Sequence, residues 1–206
     1  MKIINFKADT RICASHREQL RCFARETGGS VKALAERLGI RIDFEELPRN
    51  ISAVLIRSPH CGSASGYRIA VNRRDNVERQ RFSVAHELAH FVLHRHDPDF
   101  QAVEDDEDYG SVVPLFEPQG NSFRSRFASL KRSNRLEQEA DIFAATLLMP
   151  AYLIRRSAAF RRSDLPTLAK EFRVSRQAML NRLRDIGCSQ PTGRTSNMHY
   201  RKDAAA

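Results

Sequence analysis

The stretch "RFSVAHELAHFVLHRH", residues 81–96, holds four of the chain's seven histidines. Two of them, His86 and His90, bracket a glutamate in the pattern H-E-x-x-H. In a helix, residues four apart lie on the same face, about one turn from each other. His86 and His90 can then aim imidazole nitrogens at one ion, which zinc accepts at roughly 2.0–2.1 Å. Glu87 flanks that face, where its carboxylate can remove the proton of a water on the ion. Phe82, Ala85, Ala89, Val92 and Leu93 are apolar, so the segment reads as a largely buried helix. It is expected to start between Asn76 and Gln80 and to run past His94. Asp97-Pro98 ends it, because proline disfavours helix in the residue before it.

A catalytic zinc needs a third protein ligand and an open position. His94 lies eight residues beyond His86, about 12 Å along the axis at roughly 1.5 Å per residue, so one ion does not readily take both. His96, His16, His60 and His199 have no supporting pattern. The next long helix, expected over "RLEQEADIFAATLLM" (135–149) and stopped by Pro150, offers a better candidate. Glu137 and Asp141 are four apart and share a face. Glu137 is the preferred metal ligand. Asp141 can accept a hydrogen bond from the far nitrogen of a ligand histidine and so fix its tautomer. Glu139 points to a different face and is the alternative ligand. Tyr109, Tyr152, His94 and His199 are the candidates for an oxyanion stabiliser.

Around these helices the chain reads as α+β. "SVKALAERLGI" (30–40) is expected to be a helix capped by Ser30 and ended by Gly39, and "SHREQLRCFARE" (15–26) another. "IRIDFEEL" (40–47), "ISAVLIR" (51–57) and "GYRIAVN" (66–72) read as strands, with "SPHCGSAS" (58–65) as a loop. The expectation is a small, mostly antiparallel sheet packed on the H-E-x-x-H helix and on the second ligand-bearing helix. "DLPTLAKEFRVSRQAMLNRLRDIG" (164–187) reads as helix, tight turn, helix, with Ser175 and Gly187 as its second cap and stop. Residues 97–133, which include the acidic run Glu104–Asp108, look irregular and suit either a lid or substrate-selecting loop or, equally, a disordered segment. The polar tail 191–206 is expected to be disordered.

Composition bounds the rest. With 206 residues and 41% hydrophobic content, the chain suffices for one packed domain with a small appendage. No run approaches the roughly 18 apolar residues of a membrane span. The first 19 residues lack an apolar stretch of signal-peptide length, so a cytoplasmic protein is expected. Cys13, Cys22, Cys61 and Cys188 are scattered and suit free thiols. The net charge of +9 is concentrated in residues 151–206, where 12 Lys/Arg face four Asp/Glu. That excess points to an anionic partner, nucleic acid or an acidic protein. Arg176, Arg182 and Arg184 are then candidate contacts to DNA, and a DNA-binding regulator is the competing functional class.

The segments "RIAVN", "ERQRFSVAHELAHFVLH" and "EQEADIFAATLLMP" together resemble the ImmA/IrrE family of zinc metallopeptidases, over roughly residues 31–187. The resemblance implies a thermolysin-like core with His86, His90 and Glu137 as zinc ligands, Glu87 as general base and Asp141 behind a ligand histidine. Manganese is the alternative ion, since such a donor set is not strictly selective. It further implies a narrow protein substrate: a helix-turn-helix repressor or antitoxin in a stress, phage, mobile-element or toxin–antitoxin circuit. The expected organisation is an N-terminal extension (1–30), a zincin-like domain (31–160) with an inserted loop (97–133), a helix-turn-helix-like segment (161–190) and the tail.

Overall fold

The computed structural model describes residues 22, 30–98, 100, 102–104 and 134–188. Most of the helix expected over 15–26, most of the 97–133 segment and the tail from 191 lie outside those residues. Ser30 accepts the Ala33 N–H at 3.2 Å and opens helix α1 (Val31–Arg37). Gly39 closes it at φ +66°, and a Cβ there would stand 2.9 Å from the Ala64 Cβ. Only glycine accepts both that dihedral and that approach.

Strands β1 (Arg41–Glu45), β2 (Ala53–Arg57) and β3 (Tyr67–Asn72) form where alternation predicts them, and a short β4 (Val103–Glu104) joins them from the segment read as irregular. The sheet order is β1-β3-β2-β4. Only β2 and β3 pair antiparallel; β1 with β3 and β2 with β4 are parallel. The sheet is therefore mixed, not mostly antiparallel as its short strands suggested. The cause is topological: β3 turns back along β2 and inserts between β2 and β1, which forces it parallel to β1. Asn72, 2% exposed, ends β3 by donating its amide to Leu47 O (3.2 Å) and Ile51 O (2.9 Å), which fixes the β1–β2 connection.

Side chains alternate across the pleat. Leu55, Ile69 and Val71 face the main core, while Val54, Ile56 and Ala70 join Leu47 in a smaller cluster on the other face. Against the main face lies helix α2 (Val77–Ala89), capped by Asn76, whose side chain accepts the Arg79 N–H at 2.8 Å. It continues as one turn of π-helix, His90–His94. Helix α3 (Asn134–Leu148) packs along α2 and buries Leu136, Phe143, Ala144, Leu147 and Leu148. Cys22, Cys61 and Cys188 carry free thiols.

Four short helices follow: α4 (Ala151–Arg156), α5 (Ala158–Arg161), α6 (Leu165–Glu171) and α7 (Arg176–Asp185). Leu168, Met179 and Leu183 belong to the same core cluster as Phe143 and Ile154. Two arginines tie these helices to the rest. Arg81 on α2 donates to Phe172 O (2.6 Å) and Arg173 O (3.2 Å), satisfying carbonyls at the end of α6. Arg182 donates from Nε to Met149 O at 3.0 Å. Arg182 is 1% exposed, so it is a core residue and not a surface contact to DNA; an arginine at that position of α7 points inward with Met179 and Leu183. Arg176 and Arg184 are exposed. No helix among the described residues is long and apolar enough to cross a membrane.

Candidate metal centre

Helix α2 carries His86 and Glu87, the π-helical turn that continues it carries His90, and α3 brings Glu137 and Asp141 up to the histidines. His86 Nε2 and His90 Nε2 lie 3.0 Å apart. Glu137 presents one oxygen 3.2 Å from His86 Nε2 and the other 3.4 Å from His90 Nε2. Ligands bound at about 2.0–2.1 Å to a tetrahedral ion stand about 3.3 Å from one another. The two imidazole nitrogens, each with a different Glu137 oxygen beside it, are thus close to the separations a single divalent cation demands. Among the described residues these are the side chains so grouped, with all donor atoms within 4.8 Å of one another. The donors fit the metal.

Electrostatics agree with the geometry. Burial alone would lower the His86 pKa, but hydrogen bonds to Asp141 and Glu137 and the charges of Glu87 and Asp141 outweigh it, raising it to about 10. Burial alone would raise that of Glu137, but His86 and His90 hold the carboxyl well below the usual range. Both shifts describe a pocket that demands positive charge, which in the metal-free protein a proton supplies.

Behind His86, Asp141 Oδ1 meets Nδ1 at 2.9 Å, leaving Nε2 to face the cation position. Behind His90 stands His94, Nδ1 to Nδ1 at 3.0 Å, which in turn meets Glu139 at 3.0 Å from its Nε2. Burial lowers the His94 pKa, with Glu139 pulling the other way. Glu139, the alternative ligand, therefore serves His94 and not the cation position. The axial-rise argument set His94 apart from His86, and the structure places it against the far side of His90, four residues earlier in the chain, a contact that argument did not draw. That spacing was the available signal.

Glu87 is 5% exposed and accepts the Leu55 N–H at 2.9 Å. In the β2–β3 pair, Asn72 N–H bonds Ser52 O and Ser58 N–H bonds Gly66 O, so by alternation the N–H of Leu55 points away from β3. The contact spans 32 residues and has no local sequence signal. Of the oxyanion candidates, Tyr152 lies on α4 and is 38% exposed, His94 is committed to His90 and Glu139, and Tyr109 and His199 lie outside the described residues. A cleft of about 850 Å³ runs from Asp141 between α2, α3 and α7, with Phe82, Ile142, Ala145 and Val174 among its lining.

No curated protein matches the chain. A family model described as the IrrE N-terminal-like domain, Peptidase_M78, matches residues 35–184, which holds both motif helices and all four C-terminal helices up to the last turn of α7. That span is well over half of the sequence and nearly coincides with the resemblance read from its motifs. With its paired histidines, facing glutamate and buried acid between them, the chain belongs to the IrrE N-terminal-like family of metallopeptidases.

Proposed function

We propose that the protein is a zinc-dependent endopeptidase that hydrolyses a peptide bond in one partner protein, a helix-turn-helix repressor or antitoxin. His86, His90 and Glu137 hold the ion, Asp141 orients His86, and Glu87 is the general base. The observation that carries this reading is the cluster of His86, His90 and Glu137, with donor atoms within 4.8 Å of one another, beside a buried carboxylate. The narrow substrate and its circuit rest on the family resemblance.

Zinc bound there would polarise the scissile carbonyl and lower the pKa of a water. Glu87 would take the proton of the attacking water and return it to the leaving amine. The Leu55 N–H anchors one of its oxygens and so sets the plane of the carboxylate. The backbone edge of β2 that points away from β3 lies beside Glu87, where an extended substrate strand can pair with it around Ala53. The apolar floor of the cleft, Phe82 and Ile142 included, receives substrate side chains, and Arg79 and Arg184 lie along it.

The test compares cells producing the wild type with cells producing Glu87→Gln. New protein N-termini are expected with the wild type alone, while the purified variant keeps its metal. Identical N-termini in both would sink the proposal. A DNA-binding regulator is the weaker reading, since Arg176 and Arg184 are exposed but Arg182 is not. That reading requires Glu87→Gln to leave regulation unchanged.

A further inference from the structure

His90 has neighbours at both ring nitrogens, and the second one reaches a carboxylate. Its Nε2 faces His86 and Glu137, while its Nδ1 lies 3.0 Å from His94 Nδ1. His94 Nε2 lies 3.0 Å from Glu139 Oε2. Glu139 is held from its other oxygen by Arg135 at 3.2 Å, and Arg135 also pairs with Asp97 at 2.8 Å. His90 and His94 are 0% and 2% exposed. The Phe100 ring stacks on His90 at 5.3 Å with 15° between the planes. The pair is thus shielded, and its hydrogen bonds are made within the protein.

Two imidazoles meeting Nδ1 to Nδ1 need one donor and one acceptor between them. A carboxylate only accepts, so Glu139 requires a proton on His94 Nε2. A neutral His94 then carries a lone pair on Nδ1 and must accept from His90. His90 accordingly holds its proton on Nδ1 and a lone pair on Nε2, which is the atom turned to Glu137 and His86. With the opposite direction, His94 would set a lone pair against Glu139, and His90 would aim an N–H at the cation position.

We propose that His94 and Glu139 are positioning residues that set His90 in its Nδ1–H tautomer and so prepare its Nε2 to bind the metal. The inference rests on the metal-site reading above and assigns to Glu139 a role separate from ligation. The site is thereby supported in two ways: His86 by an exposed aspartate directly, and His90 by a buried histidine backed by a glutamate.

The experiment measures zinc affinity by chelator competition, together with long-range proton–nitrogen correlation of the histidine rings. The proteins are the wild type, Glu139→Ala, Glu139→Gln, Arg135→Ala and Glu137→Ala. Glu139→Ala is expected to weaken zinc binding by about 10–100-fold, as loss of such an outer partner does elsewhere. Glu139→Gln, whose amide oxygen still accepts from His94, should stay within about threefold of the wild type, and so should Arg135→Ala. In the zinc-loaded wild type the ring spectra should show His94 protonated on Nε2 and His90 on Nδ1. Unchanged affinity in Glu139→Ala, an equal loss in Arg135→Ala, or His94 protonated on Nδ1 overturns the proposal. If Glu137→Ala loses zinc while Glu139→Ala keeps it, only the relay fails. A wild type that binds no zinc sinks both readings.

Discussion

At the scale of single residues, the centre is a pocket of stacked preferences for positive charge. His86 faces Asp141 and Glu137, with Glu87 close enough to act on it through space. Its pKa rises from 6.5 in the unfolded chain to about 10 in the fold. A raised pKa means that the protonated ring stabilises the metal-free fold fully below pH 6.5, and that this contribution fades as the pH climbs towards about 10. At neutral pH a divalent cation must therefore expel that proton. The expected outcome is release of about one proton per ion bound, with apparent affinity increasing as the pH rises towards the His86 value. Calorimetry in buffers of different ionisation heats reads the proton count directly. A count of zero at neutral pH would mean that His86 is already neutral. The spacing of His86, Glu87, His90, Glu137 and Asp141 was legible in the sequence because helical periodicity is local. The Leu55 N–H on Glu87 was not, because a contact across 32 residues depends on how the helix seats on the sheet.

Individual elements show the same division. Gly39 was legible as a helix stop, but its second constraint, the Ala64 Cβ, comes from a loop 25 residues away. Gly39→Ala should cost about 1–3 kcal/mol from the left-handed dihedral alone, and more from the contact. Gly187, at φ +68° with nothing within 4 Å of a built Cβ, is the control. Urea midpoints of the two alanine variants should differ, with Gly39→Ala the less stable. Equal midpoints would remove the steric argument. Strand order is another case: alternation located β1, β2 and β3 but carried no information on which strand lies between which. The joint between α2 and α6 is a third. Arg81→Met removes the donors to Phe172 O and Arg173 O, and should cost about 1.5–3 kcal/mol, the usual range for hydrogen bonds to a charged group. A thermal melt unchanged from the wild type would show that water replaces the guanidinium without loss.

Across the whole molecule, the basic C-terminal helices share one core cluster with the helices that carry the candidate metal ligands. Leu168, Val174, Met179 and Leu183 are in the core cluster that holds Leu88, Phe143 and Leu147. Arg182 and Arg81 add hydrogen bonds between the two regions. A chain ending after residue 160 is thus expected to lose cooperative unfolding and its metal affinity together, since it opens the core on which α2 and α3 rest. Circular dichroism melts and metal titration of the truncated chain check this. A truncated chain that melts sharply and binds zinc as the full chain does would show α6 and α7 to be a separate module.

The sequence by itself located the two motif helices and placed the candidate donors on them, because that much follows from spacing within one element, and the resemblance of three segments taken together pointed to the family. Only the tertiary structure showed that Glu137 lies beside His86 and His90 while Glu139 lies beside His94, that His94 stands against His90, and that Arg182 is buried. These depend on the rotation of α3 about its axis relative to α2 and on the burial of one face of α7. Both are set by side-chain packing between elements far apart in the chain, which local periodicity does not encode.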